Sequence, residues 1–184
     1  MNKLMINKLM VAGALLTVWS ACHAEELAAQ RASTTVAVVS GMTFSHTLTG
    51  QTITAGKVAA NAVVAQGEVN VNGAGNFRTV TLAWDRATNP TGMYLSDHAD
   101  TAIMYADGQE HKESNAVYVH FEPKTPVSSV EVEHKTAAIY DLSTPSGVFK
   151  YSINLGWQQG GAGSPDELYS GNYQLAVSAD VIAA

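Results

Sequence analysis

Cysteine and positive charge are both scarce in this chain. Its 184 residues include one cysteine, Cys22, so an exported domain would depend on its core and its sheet hydrogen bonds rather than on disulfides. Ten Lys and Arg residues stand against sixteen Asp and Glu, which gives a formal net charge of −6. Binding to nucleic acid or to an anionic membrane needs a basic patch, so we predict neither partner.

Recognised catalytic motifs are also missing. The sequence contains no Gly-x-Ser-x-Gly nucleophile turn and no His-Glu-x-x-His zinc motif. Asp97, His98, Asp100, Met104 and His111 suggest a copper or zinc site by residue type, but their spacing matches no tight ligand motif. We therefore predict no catalytic residues, no cofactor and no metal, in a chain that is not an enzyme.

Long apolar runs are absent after the N-terminal region. The run Leu9–Val18 spans roughly ten residues, about half the length of a membrane-spanning helix, and two lysines come before it. Small Ala24 follows at a suitable distance for cleavage, so we predict a secretory signal peptide over residues 1–24. A lipoprotein signal at Cys22 is a less favoured alternative, because Trp19 stands where such signals usually carry leucine.

Alternation of apolar and polar residues dominates the rest of the chain and is typical of half-buried strands. The predicted inward-facing sets are Val63, Ala65, Gly67, Val69 and Val71; Val80, Leu82 and Trp84; Val117, Val119 and Phe121; Val130 and Val132; Phe149, Tyr151, Ile153, Leu155 and Trp157; and Tyr173, Leu175, Val177, Ala179 and Val181. Turns rich in Gly, Asn and Pro separate these sets. We predict an all-β, immunoglobulin-like antiparallel sandwich, with helix limited to a turn at Ser164–Leu168.

The same pattern sorts the aromatic and histidine side chains. We expect Trp84, Tyr151 and Trp157 in the core. Four other tyrosines are expected nearer the loops, namely Tyr94, Tyr105, Tyr140 and Tyr169. His120 and His134 are expected to face outward.

The two ends of the exported chain raise a question of pairing. A sandwich that needs one more strand would be open beside the last predicted strand, residues 173–181. A short, uncharged, β-prone segment, residues 32–40, follows the predicted signal. Two interpretations stay open: this segment pairs within its own domain, or it fills the groove of another copy and builds an open fibre.

Three segments resemble pilins of the chaperone–usher pathway, in its long-loop-chaperone branch, and the Saf-type and pH 6 antigen-type subunits most of all. Ala55-Gly56-Lys57, followed by spaced alanines, is similar to the second-strand region of Saf-type pilins. Residues 32–35 and the alternation after them are similar to the donor arm of capsule-forming subunits. Residues 168–173 and the strand after them are similar to the end of pilins.

The resemblance implies an incomplete immunoglobulin-like sandwich that is completed by donor-strand exchange. Residues 25–41 would be the donor arm and residues 42–184 the pilin domain. The implied donor residues are Thr34, Val36, Val38 and Ser40. The implied acceptor residues are Tyr173, Leu175, Val177, Ala179 and Val181. The register stays open, because Ala37 and Val39 could point inward instead.

The function implied by the resemblance is that of a structural subunit of a fimbria or capsule-like fibre that mediates adhesion. The chain would be exported through the periplasm to the surface of a Gram-negative bacterium. Its partners would be a periplasmic chaperone, an outer-membrane usher, other copies of itself, and a host glycan or lipid-headgroup receptor. Two alternatives remain: a monomeric β-sandwich binding module, lectin-like or metal-handling, and a tip adhesin that needs no donor arm.

Overall fold

Strands account for the regular secondary structure in the described part of the chain. The computed structural model describes residues 38–39, 42–59, 61–72, 75–85, 94–95, 97–109, 116–156 and 167–184. The strands in these ranges are β1 (Val38–Val39), β2 (Met42–Gly50), β3 (Gly56–Lys57), β4 (Val63–Asn72), β5 (Phe77–Trp84), β6 (Tyr94–Leu95), β7 (Thr101–Met104), β8 (Val117–Pro123), β9 (Val127–Glu131), β10 (Ala138–Ser146), β11 (Val148–Leu155), β12 (Glu167–Leu168) and β13 (Val177–Ala183). The described ranges hold no helix, and thus none that could cross a membrane.

The strands form two main antiparallel sheets. The large sheet has the order β1-β2-β4-β11-β8-β7-β6, and the small sheet has the order β13-β5-β10-β9. A further pair, β12 with β3, is also antiparallel. The inward faces of the two main sheets share one hydrophobic core. This arrangement confirms the predicted all-β antiparallel sandwich.

Aromatic side chains join the two sheets across the core. Trp84 of β5 stacks on Phe121 of β8 with 3.9 Å between ring centroids. Phe121 in turn meets Tyr151 of β11 edge-on at 5.7 Å. Tyr140 of β10 packs on Phe149 of β11 at 5.5 Å. Each buried ring removes a large apolar area from water, so these contacts fix how the small sheet sits on the large one.

The predictions for single aromatic residues have mixed outcomes. Trp84 and Tyr151 are buried, as predicted, whereas Trp157 lies outside the described residues. Tyr140 was expected near a loop, but it is only 1% exposed and lies in the core. Its ring points into the core and packs on Phe149 of the facing sheet, while β5 and β9 flank its strand β10 on both sides.

Two further local predictions differ from the structure, the second only in the extent of burial. Residues Glu167–Leu168, expected in a helical turn, form strand β12 against Gly56 and Lys57. Val130 lies opposite buried Tyr140 and so shares its inward face, as predicted, but it is not buried. It is 43% exposed because β9 is the edge strand of the small sheet and covers little of the core.

Gly67 and Tyr151 form a close cross-strand contact in the large sheet. They are direct partners in the β4–β11 ladder. A Cβ atom on Gly67 would fall on the Tyr151 ring. The ring cannot move aside easily, since Phe121 and Phe149 pack against it and Tyr151 is only 2% exposed. Glycine is therefore required here by the aromatic side chain that crosses it.

We expect Gly67→Ala to lower the free energy of unfolding by about 1–3 kcal/mol, the usual cost of overpacking a core. Gly147→Ala is the matched control, because its added Cβ would meet neighbouring atoms no closer than 3.6 Å. Urea unfolding of both variants measures the difference. Equal stability of the two variants would contradict the proposed role of Gly67.

Candidate functional site

Strand β13 forms one edge of the small sheet. It pairs with β5 on one side, and no described strand pairs with its other side. Val177 and Ala179 are buried, and Val181 is half-buried, whereas Ser178 and Asp180 are exposed. The strand therefore presents an apolar face to the core beside an edge whose backbone groups lack a strand partner.

The register shows which backbone groups point to the open edge. The amide of Asp85 donates to the carbonyl oxygen of Ala176 at 2.9 Å, and the β13–β5 register places these two residues opposite each other. Hydrogen-bonded pairs alternate along an antiparallel ladder, so Ser178 and Asp180 also face β5. The amides and carbonyls of Val177, Ala179 and Val181 consequently point to the open edge.

Strand β2 of the large sheet lies on the same side of the sandwich as β13. Its inward face carries Phe44, His46 and Leu48, all buried. The outer edge of β2 pairs with the short β1, so the two sheets meet here through β13 and β2 without a shared hydrogen-bond ladder among the described residues. The edge of β13 that no described strand pairs with, next to β2, is the candidate site, and we call it the β13 edge.

The predicted acceptor residues are not all in one strand. Val177, Ala179 and Val181 lie in β13, but the strand begins at Val177 rather than at Tyr173. Tyr173 forms an isolated bridge with Ala106, and its hydroxyl donates to the carbonyl oxygen of Tyr169 at 3.1 Å. Leu175 is buried in the segment between this bridge and β13. Tyr173 and Leu175 therefore hold in place the segment that leads into β13.

The predicted donor residues are only partly described. Thr34, Val36 and Ser40 lie outside the described residues. The backbone of Val38 lies in β1 and pairs with Thr43 of β2. At this point the arm pairs with its own domain, over the two residues of β1.

A buried polar pair on β2 and β11 was missed by sequence reasoning. His46 Nε2 and the Tyr151 hydroxyl share a hydrogen bond of 2.7 Å, and both side chains are buried. Burial disfavours the imidazolium and lowers the pKa of His46 from 6.5 to about 4. The sequence signal was present, since His46 alternates with Phe44 and Leu48 as a third inward-facing residue.

The remaining histidines and the suggested metal residues do not form a site in the described part of the chain. No group of three or more His, Cys, Asp or Glu side chains there could hold a metal ion. His111 lies outside the described residues. His120, expected at the surface, is only 4% exposed, and its Nδ1 donates to the carbonyl oxygen of Gly156 at 2.7 Å. His134 is exposed, as expected.

Comparison with known proteins gives matches at the level of structure. No protein-family model matches the sequence, and no curated protein matches it. The structure is similar to the minor tip subunit HdaB of the E. coli Hda pilus, with a TM-score of 0.55 and 11% sequence identity, over 77% of this chain and 84% of that one. It is also similar to the SafD adhesin of Salmonella, with a TM-score of 0.47 and 14% identity, over 76% of this chain and 88% of that one.

The chain shares its fold with a pilus subunit. This likeness confirms the resemblance to pilins at the level of the fold, over most of the described chain. At 11% sequence identity, this likeness does not assign the role of any HdaB residue to a residue of this chain. The β13 edge must therefore be argued from its own geometry.

We expect acid to destabilise the fold through His46. Its folded-state pKa lies below its unfolded value, so the unfolded chain binds the proton first as the pH falls. The contribution is complete above pH 6.5 and is lost as the pH falls toward about 4, by up to about 3 kcal/mol. Urea unfolding at pH 7.5 and pH 5 measures the loss.

His46→Gln keeps an amide near the Tyr151 hydroxyl but does not titrate, so its stability should change less between these two pH values. His134→Asn is the matched control, since His134 is exposed and asparagine tolerates its positive φ of 54°. An equal pH response in wild type and His46→Gln would show that the buried imidazole is not responsible.

Proposed function

We propose that this chain is a subunit of a bacterial surface fimbria and that another polypeptide completes the β13 edge by adding a strand. The observation that carries this proposal is a strand, β13, with a buried apolar face and one edge that no described strand pairs with. Natural proteins usually cover, charge or twist away such an edge, because it otherwise pairs with foreign chains. A dedicated partner strand removes the same hazard.

A donor strand would gain both hydrogen bonds and apolar burial at this edge. The outward-directed amides and carbonyls of Val177, Ala179 and Val181 offer a regular ladder. Each ladder hydrogen bond contributes about 1 kcal/mol net, and each buried valine adds about 1.5–3 kcal/mol. Several such contacts make an assembled fibre far more stable than a single subunit.

The donor in this proposal is the N-terminal arm, residues 25–41, of another copy. Thr34, Val36, Val38 and Ser40 would enter the site in one register, and Ala37 and Val39 in the other. The arm would exchange its pairing with β2 for pairing with β13. Within the described part of the chain, the β1–β2 ladder spans the two residues of β1, and the proposed exchange would break the hydrogen bonds of this ladder.

The proposal includes a route and a set of partners. After removal of residues 1–24 in the periplasm, a chaperone would hold the β13 edge, and an outer-membrane usher would pass it to the next subunit. The fibre would lie on the surface of a Gram-negative cell and mediate adhesion to a host glycan or lipid headgroup. The role is structural and adhesive rather than enzymatic.

A tip subunit is the second candidate. The likeness in fold to HdaB, a minor tip subunit, favours it, as does the pairing of Val38 within its own domain. A tip subunit needs an acceptor edge but no donor arm. The two candidates therefore differ in what the arm does, while both use β13.

Substitutions in the arm separate these roles. We expect the full chain, expressed with a long-loop-branch fimbrial chaperone, to form SDS-resistant ladders that the double variant Val36→Asp, Val38→Asp abolishes, because a charge cannot enter the apolar site. Val36→Ile, Val38→Ile is the matched control. Electrophoresis without boiling and electron microscopy provide the readout.

The other outcomes distinguish the alternatives. Ladders that persist in the aspartate variant would contradict the register with Val36 and Val38 inward and favour the one with Ala37 and Val39 inward. A one-to-one chaperone complex without ladders, unchanged by the aspartates, would assign the tip role. A stable monomer that never binds the chaperone would contradict both fimbrial roles and favour a self-contained β-sandwich binding module.

The acceptor edge has its own test in Val181→Pro. The Val181 amide points away from β5, so proline removes a donor-strand hydrogen bond and leaves the β13–β5 ladder in place. We expect assembly to fall while circular dichroism shows a folded subunit. Val181→Thr, which keeps the amide, should assemble normally, and normal assembly of the proline variant would place the donor elsewhere.

A further inference from the structure

The outer face of the large sheet carries a cavity of about 420 Å³ that is lined mainly by polar residues. Two cross-strand rows from β2, β4 and β11 form its walls. One row contains Thr47, Glu68 and Lys150, and the other contains Thr49, Gln66 and Ser152. Lys124, just after β8, lines the rim. The volume lies in the range of about 300–1,000 Å³ that small-molecule sites occupy.

The cavity exists because a small side chain stands between longer ones. Ser152 is opposite Gln66 on one side and Glu122 on the other. The neighbouring outward residue on β11 is Lys150, whose amine pairs with Glu68 at 3.4 Å. These longer side chains surround the serine and leave a depression above it, so Ser152 forms part of the floor.

The floor holds a hydroxyl that has no protein partner. Ser152 is only 2% exposed, and its Oγ is buried without a hydrogen bond. Asn154, the next outward residue on β11, also has a buried Oδ1 without a partner. Buried polar atoms normally have hydrogen-bond partners, because leaving one without a partner costs free energy. A hydroxyl without a protein partner at a polar cavity indicates that a bound ligand supplies the missing hydrogen-bond partner.

The charges around the cavity cancel. Lys150 pairs with Glu68, which also lines the cavity. Lys124 pairs at 3.0 Å with Glu122, which lies next to the lining residues, so each lysine is neutralised by a glutamate. Neither sign is in excess, so the cavity does not favour a phosphate, a carboxylate or a cation. The remaining polar groups are hydroxyls and one amide, which both donate and accept hydrogen bonds. A neutral ligand that is rich in hydroxyl groups matches this set.

We propose that this cavity binds a neutral sugar unit of a carbohydrate, with the Ser152 hydroxyl and the Gln66 amide as its main hydrogen-bond partners. The binding itself does not depend on fibre assembly. Its use in adhesion rests on the proposed function, since a fibre would repeat the site once in every subunit and gain avidity.

The test is saturation-transfer difference NMR on the full chain, with methyl glucoside, methyl galactoside and methyl mannoside as probes and a methyl sialoside as the anionic comparison. We expect at least one neutral glycoside to receive saturation from the protein. Ser152→Val should weaken its binding roughly tenfold, which corresponds to the loss of one ligand hydrogen bond. Gln66→Ala, on an exposed side chain, should weaken it similarly.

Ser45→Val is the matched control, because Ser45 lies on the outer face of β2 but does not line the cavity. The melting temperature of Ser152→Val should not fall, since no protein hydrogen bond is lost. Absence of binding by all three neutral glycosides, binding that Ser152→Val and Gln66→Ala leave unchanged, or binding of the sialoside alone would each overturn the proposal. Ladder formation by Ser152→Val separates this result from a failure of fibre assembly.

Discussion

The position of the Tyr151 ring constrains most of the structure. Strand β11 lies in the middle of the large sheet, and the ring of Tyr151 crosses its neighbour β4 at Gly67, where only a glycine leaves room. The hydroxyl reaches His46 on β2, and the ring edge meets Phe121 on β8. One side chain thus connects four adjacent strands, and Phe121 extends the contact to Trp84 of the small sheet. Register, sheet packing and the burial of a histidine all depend on it.

The opposite face of β11 forms part of the outer surface of the large sheet. Because side chains alternate along a strand, the residues between the core positions must all point outward. Lys150, Ser152 and Asn154 therefore share a surface whose shape follows from their lengths and from the partners that the register gives them. The rigidity of the core beneath holds this surface in place. The same alternation that builds the hydrophobic core also builds the polar cavity.

The β13 edge and the polar cavity belong to different parts of the sandwich. The edge is formed by the small sheet and by the inward face of β2, whereas the cavity lies on the outer face of the large sheet. A strand added at β13 would not cover the cavity. In the proposed fimbria, assembly and ligand binding would therefore use separate surfaces of each subunit, and only the core between them would be shared.

The sequence by itself determined the all-β class and most of the inward-facing residues, because alternation with a period of two predicts which side of a strand faces the core. It also placed Val177, Ala179 and Val181 on one face. The tertiary structure decided which residues are covered by distant parts of the chain, which the alternation pattern does not predict. Tyr140 and His120 are buried because other strands and the turn at Gly156 cover them. The open edge of β13, the His46–Tyr151 pair and the cavity at Ser152 arise from residues far apart in the chain, so their geometry depends on strand order and register rather than on any local pattern.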